Sequence, residues 1–319
     1  MLKTLTLTTT VIGVVGSLTI ASPAAAFDPS NNPIVKGSEY VPVTGDFDND
    51  GHSDIFWYGP GNVLDSLWWG RNDRDFDRSN SPLVIGSGYV PVTGDFDSDG
   101  NSDIFWYGPG ALLDSIWWGR ADRGFYKSND PIVKGSEYVP VTGDFDNDGY
   151  SDIFWYGPGN VLDSVWWGRY DRSFDRSNDP LVNGSEYVPV TGDFDNDGHS
   201  DIFWYGPGYV LDSIWWGRTD RGFDRSNDPL VKGSEYVPVT GDFDNDGHSD
   251  IFWYGPGNVL DSVWWGRYDR SFDRRNDPIV KGSEYVPVTG DFDGDYNSDI
   301  FWYGPGNILD SIWWGTYQR

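Results

Sequence analysis

The apolar positions of residues 40–80 fall in short clusters separated by glycine, proline and aspartate. Tyr40-Val41-Pro42-Val43-Thr44, Ile55-Phe56-Trp57-Tyr58, Ser66 to Gly70 and Phe76 to Asn80 are rich in β-branched or aromatic residues, and none is long enough for a helix. They predict four strands. Gly59-Pro60-Gly61-Asn62 supplies the turn between the second and third, and Arg71-Asn72-Asp73-Arg74 the link to the fourth. Polarity does not alternate along the two middle strands: Ile55-Phe56-Trp57-Tyr58 and Leu67-Trp68-Trp69 are apolar at consecutive positions. Both faces of such a sheet have to be covered.

The pattern repeats. Asp46-Phe47-Asp48-Asn49-Asp50-Gly51-His52-Ser53-Asp54 returns at 95, 144, 193, 242 and 291, always 49 residues on. Ahead of the repeats, Lys3, an uncharged Thr/Val/Leu/Ile stretch and Ala24-Ala25-Ala26 read as a secretory signal over residues 1–26, removed after Ala26. Residues 27–319 are then 293 long, one short of six units. A period of this size indicates a propeller or a solenoid, and the atypical end units of a solenoid are missing. Instead Phe27 to Val35 matches Phe76 to Val84, and the last unit stops where that segment would come next. The expected fold is all-β, a six-bladed β-propeller of four-stranded antiparallel blades, closed by pairing the N- and C-terminal segments. Pro42 belongs on an edge strand, here the innermost one, and polar Asp77, Arg78 and Asn80 on the outer edge.

Positions 1, 3, 5 and 9 of each nine-residue stretch are aspartates, and their convergence in a tight loop requires a cation among them. The oxygen-rich set, without cysteine, favours calcium, up to six ions. The predicted ligands are Asp46, Asp48, Asp50 and Asp54; Asp95, Asp97, Asp99 and Asp103; Asp144, Asp146, Asp148 and Asp152; Asp193, Asp195, Asp197 and Asp201; Asp242, Asp244, Asp246 and Asp250; Asp291, Asp293, Asp295 and Asp299. Position 7, occupied by His52, Asn101, Tyr150, His199, His248 and Asn297, is expected to give only its main-chain carbonyl. Position 12 is Trp57, so an EF-hand's bidentate glutamate is missing and Asp54 is expected to close the shell. An Asp-Gly hairpin can form without metal, but six copies that keep all four aspartates favour the ion. Tyr296 stands where the other loops have glycine at position 6, which predicts the weakest site in the last loop.

Gly45 to Gly61, containing the aspartate loop and Ile55-Phe56-Trp57-Tyr58-Gly59-Pro60-Gly61, resembles the FG-GAP or VCBS type of repeat of integrin α-chain propellers and many secreted bacterial proteins. The resemblance covers residues 27–319. It implies an ion in the loop between the first and second strands of each blade, and it transfers no ligand.

Charge and composition narrow the function. The formal net charge of -28 becomes -29 without Lys3, and six calcium ions would bring it to about -17. Such a surface argues against nucleic acid and anionic membranes as partners, and no membrane insertion is expected. There is no cysteine nucleophile, all three histidines lie in the loops, and no symmetry-breaking constellation stands out, so the chain reads as a non-enzyme. The 18 tryptophans, three per unit, suit core packing better than ligand stacking. Six near-identical units offer multivalency on a monomeric ring. The reading is a secreted recognition or adhesion module for a glycan or an extracellular protein. Alternatives are a structural envelope or matrix protein, or a carbohydrate-active hydrolase. The candidate ligand surface lies at the end opposite the loops, with Lys36, Ser38, Glu39, Asn62 and Asp65 in the first unit and Lys232, Ser234, Glu235, Asn258 and Asp261 in the fifth. These residues could equally be turn formers and solvated charges. Unit two departs there, with Ile85, Gly88 and Ala111.

Overall fold

A computed structural model describes residues 27–316 apart from 31–33, 38, 81–82, 130–132, 136, 179–181, 228–230, 234, 276–279 and 283. The segment read as a signal, Ser38 and Ser234 therefore lie outside the described residues. The described secondary structure is all-β: six four-stranded antiparallel sheets in a six-bladed propeller. Blade 1 runs outward through Val41–Gly45, Asp54–Tyr58, Ser66–Trp69 and Asp77–Ser79. Its first strand pairs on one side only within the sheet, which is why Pro42, opposite Trp57, is tolerated there.

Blade 6 contains Val286–Gly290, Asp299–Tyr303 and Ser311–Gly315, and takes its fourth strand from the other end of the chain. Phe27–Ser30 pairs antiparallel with it, Phe27 opposite Gly315 and Ser30 opposite Ile312. The innermost strands of blades 1 and 6 are neighbours like every other successive pair, so the ring closes. The expected clasp of the two ends is present.

Consecutive apolar residues serve two different interfaces. Ile55 and Trp57 pack against Phe292, Phe301 and Tyr303 of blade 6, whereas Phe56 and Tyr58 pack against Ile104 and Trp106 of blade 2. Side chains alternate across a strand, so an unbroken apolar run feeds both flanking cores. Six such interblade clusters make the core. Full burial of a side chain like Phe56 contributes about 1.5–3 kcal/mol. Every tryptophan is buried except half-buried Trp265, and the rings meet mostly edge to face, as Trp57 does with Trp68 at 5.3 Å. Core packing accounts for them, and none forms an exposed stacking platform.

Candidate functional site: acidic loops and interblade clefts

Each acidic loop connects the first strand of a blade to the second, and hydrogen bonds to its own aspartates shape it. Asp46 accepts from Asp50 N at 3.1 Å and Gly51 N at 3.0 Å, which coils the backbone. Oxygens of Asp46, Asp48 and Asp50 come within 4.8 Å of one another, and so do those of Asp95, Asp97 and Asp99 and of Asp144, Asp146 and Asp152. Asp54 is fully buried and behaves differently: its two oxygens accept Phe47 N and Gly70 N, both at 2.9 Å. Position 9 thus ties the loop to the end of the third strand. Burial pushes Asp54 up to about 8 despite those bonds, and the charges of Asp48 and Asp46 add to the rise. Asp299 is driven to about 9 in the same way.

The decisive atom is at position 3. Oδ1 of Asp48, Asp97, Asp146, Asp195, Asp244 and Asp293 is buried and, among the described residues, has no hydrogen-bond partner in any of the six loops. A buried carboxylate oxygen without a donor costs about 1–3 kcal/mol or more. The donor set, carboxylates only and crowded together, fits a hard divalent cation.

The position-7 side chain does more than was expected of it. Nδ1 of His52, His199 and His248 bonds the position-5 aspartate at 2.8, 2.9 and 2.9 Å, and Nδ2 of Asn101 and Asn297 does the same at 2.8 and 2.9 Å. Tyr150 offers only its main-chain N–H, to Asp148.

The sixth loop departs less from the other five than its tyrosine suggests. Position 6 is left-handed as expected, with φ of 89° at Gly51 and 70° at Tyr296. Position 4 is left-handed too, at Asn49, Ser98, Asn147, Asn196, Asn245 and Gly294. Every loop therefore has one glycine and one non-glycine in this region, and the last loop exchanges their places. Asparagine tolerates the conformation better than tyrosine, so a difference remains, smaller than one full left-handed penalty.

Sequence reasoning missed the arginines. The turn between the third and fourth strands carries Arg74, Arg123, Arg172, Arg221 and Arg270, each at positive φ and each reaching back across the interblade groove. Their Nε donates to Oδ2 of Asp293, Asp48, Asp97, Asp146 and Asp195 in the preceding blade, at 2.5–2.7 Å. The same guanidinium lies over that blade's tryptophan, as Arg123 does over Trp69 at 5.2 Å. Loops also join through the main chain, as when Ser102 N donates to Asp46 O at 2.7 Å. An Asp-Arg pair at 73–74, 122–123, 171–172, 220–221 and 269–270 was the available signal.

At the opposite end, Lys36, Glu39, Asn62, Lys232, Glu235 and Asn258 are exposed. Asp65 and Asp261 are not: each is 1% exposed. Asp65 accepts Gly59 N at 2.7 Å and Val84 N at 2.5 Å, and Asp261 holds Gly255 and Val280 alike. They are internal clasps of the turn, which removes them from the candidate ligand surface. Sequence reasoning also missed one exposed leucine per turn, Leu64, Leu113, Leu162, Leu211, Leu260 and Leu309, and fully exposed Tyr209 at the position of Asn62.

A closed ring of six sheets carrying an acidic loop on every blade defines a β-propeller of repeated loop-bearing units. The chain belongs to the FG-GAP-like repeat family, whose model matches residues 46–106, 95–155, 144–204 and 193–253. No curated protein sequence matches it. Among solved structures, an Agrocybe aegerita lectin described as recognising non-reducing terminal N-acetylglucosamine aligns with TM-score 0.59 and 16% identity, over 83% of this chain and 74% of the lectin. The Photorhabdus luminescens Tc holotoxin pore gives 0.59 and 13%, over 90% of this chain and 14% of that one. AofleA from Arthrobotrys oligospora gives 0.52 and 11%, over 92% and 87%. At these identities the likeness is one of fold.

Proposed function

We propose that the chain is an extracellular, calcium-stabilised propeller that recognises glycans multivalently and has no catalytic role. The observation that carries the calcium half is the buried, partnerless Oδ1 of the position-3 aspartate in all six loops. Asp46, Asp48 and Asp50 in the first loop, Asp144, Asp146 and Asp152 in the third, and their counterparts would hold the ion, with the position-9 aspartate closing the shell where it converges. The ion would supply the counter-charge their crowding requires. Calcium then acts as a clamp on the hairpin between the first and second strands.

The glycan half rests on the sixfold display at the opposite end and on the lectin among the structural neighbours. Each turn presents an exposed leucine against the segment that enters the next blade. Gly306 N donates to Gly37 O, which sets exposed Lys36 and Glu39 against the turn of Leu309 in blade 6, not against Asn62 and Leu64. Gly208 N donates to Gly233 O, which sets Lys232 and Glu235 against the turn of Tyr209 and Leu211 in blade 4, not against Asn258 and Leu260. Apolar patches bordered by donors and acceptors suit the C–H faces and hydroxyls of a sugar, and Tyr209 adds a ring for stacking in blade 4. Weak sites repeated on one rigid body gain avidity.

The test is a glycan array with the whole protein, run in calcium and in chelator, alongside thermal melts in both. The expected result is glycan binding that falls in chelator together with the melting temperature. An unchanged melt removes calcium from the fold, and a blank array in calcium removes the glycan.

A further inference from the structure

One interblade cleft lacks a carboxylate that the comparable ones contain. Asp77 lies opposite Trp69 and is held by two arginines, Arg71 at 2.7 Å from its own blade and Arg123 at 3.2 Å from the next. Asp175 is shared between Arg169 and Arg221, and Asp224 between Arg218 and Arg270, in the same way. In blade 2 the residue opposite the tryptophan, Trp118, is Tyr126. Arg120 and Arg172 still flank that place. Among the described residues Arg120 is bonded to Asp122 alone, at 2.6 Å, and Arg172 keeps its bond to Asp97 at 2.5 Å, stands 3.7 Å from Asp99 and lies 5.8 Å from the Tyr126 ring centroid.

A cavity of about 530 Å³ opens there, lined by Tyr126, Arg120, Arg172, Asp122, Asp99 and Asn101 among others. This is within the size range of small-ligand sites. Its four charged side chains balance, whereas the matching set around Asp77, namely Asp50, Asp73, Asp77, Arg71 and Arg123, carries one net negative charge. The difference is the missing carboxylate. Tyr126 is 58% exposed and presents a ring face, and Asn101 is 8% exposed with its Oδ1 buried and partnerless. Two guanidinium groups without their shared anion, a ring and an idle acceptor describe an acidic sugar.

We propose that the cleft between blades 2 and 3 is a single-copy subsite for a uronic acid unit. Its carboxylate takes the place that Asp77, Asp175 and Asp224 fill elsewhere, between Arg120 and Arg172. The pyranose ring lies on Tyr126 and a hydroxyl donates to Asn101 Oδ1. The inference rests on the glycan-binding reading but uses the loop end of the ring, and it predicts one site where that reading predicts several.

The experiment titrates the whole protein in calcium with a glucuronate-terminated disaccharide, its glucose-terminated counterpart and acetate. Tyr126→Asp restores the ion-pair arrangement of the other blades, so it should melt no lower than the parent. Expected are one uronate site per chain and a loss of about tenfold or more in affinity in Tyr126→Asp and in Arg172→Ala. Binding should weaken with added salt, and neither the glucose analogue nor acetate should compete. No uronate binding, several equal uronate sites, affinity unaffected by Tyr126→Asp, or acetate competing equally would each overturn the proposal. Neutral-glycan binding that persists in Tyr126→Asp without any uronate binding would overturn it while leaving the broader function standing.

Discussion

Arg123 of blade 2 donates its Nε–H to Oδ2 of Asp48 in blade 1 at 2.7 Å, while Oδ1 of the same carboxylate is buried without a partner. The neighbouring blade thus supplies one cation to this aspartate, and the proposed calcium would supply a second on its other side. Removing the arginine should matter most when the ion is absent. Arg123→Ala is expected to cost about 1 kcal/mol in chelator, after discounting for the guanidinium's exposure, and less in calcium. Thermal melts of parent and variant under both conditions measure this, and an equal loss in both would show that the arginine and the metal loop are independent.

Tyr296 sits at φ 70°, and its side chain is largely exposed. Tyr296→Gly should stabilise the protein by about 1 kcal/mol, because relief of left-handed strain exceeds the added freedom of the unfolded chain. The readout is the chelator-state melt, with calcium titration of the parent showing the last site only slightly weaker than the rest. A destabilised variant would mean that the tyrosine makes contacts worth more than the strain.

The fold was legible because its determinants are local and repeated. Doubly apolar strands such as Ile55-Phe56-Trp57-Tyr58 announce a two-sided core, and the match of Phe27 to Phe76 announces the closure. The loop was legible for the same reason. Contacts between blades were not, since Arg123 meets Asp48 across 75 residues and nothing in either segment marks the other. Nor does Asp65 differ in sequence from an exposed turn residue; only the inward position of Val84 N reveals it as a clasp. Tyr126 was readable as a departure from aspartate, but its meaning depends on Arg120 and Arg172 meeting around it.

The clasp can be tested against its exposed neighbour. Asp65→Ala leaves Gly59 N and Val84 N without acceptors in a buried turn and should destabilise by about 3 kcal/mol. Asn62→Ala, at an exposed position three residues away, should fall within about 0.5 kcal/mol of the parent and instead alter glycan binding. Urea unfolding gives the first comparison and the array the second. A mild effect at Asp65 would show that the clasp contributes little to holding the turn.

The pH dependence of stability should change sign with calcium. Burial raises Asp54, Asp103, Asp152 and Asp201 from 3.8 to about 8, so between those values the metal-free folded chain holds protons that the unfolded chain releases. Their contribution is complete below about 3.8 and is lost as pH rises through about 8, so the chelator-state melting temperature should fall over that window. With calcium the loop carboxylates must be ionised to bind, protons compete with the ion, and stability should rise with pH over the acidic part of the same range. Melts from pH 4 to 8 in chelator and in calcium, with a slope of the same sign in both, would show that the buried carboxylates and the ion are not coupled.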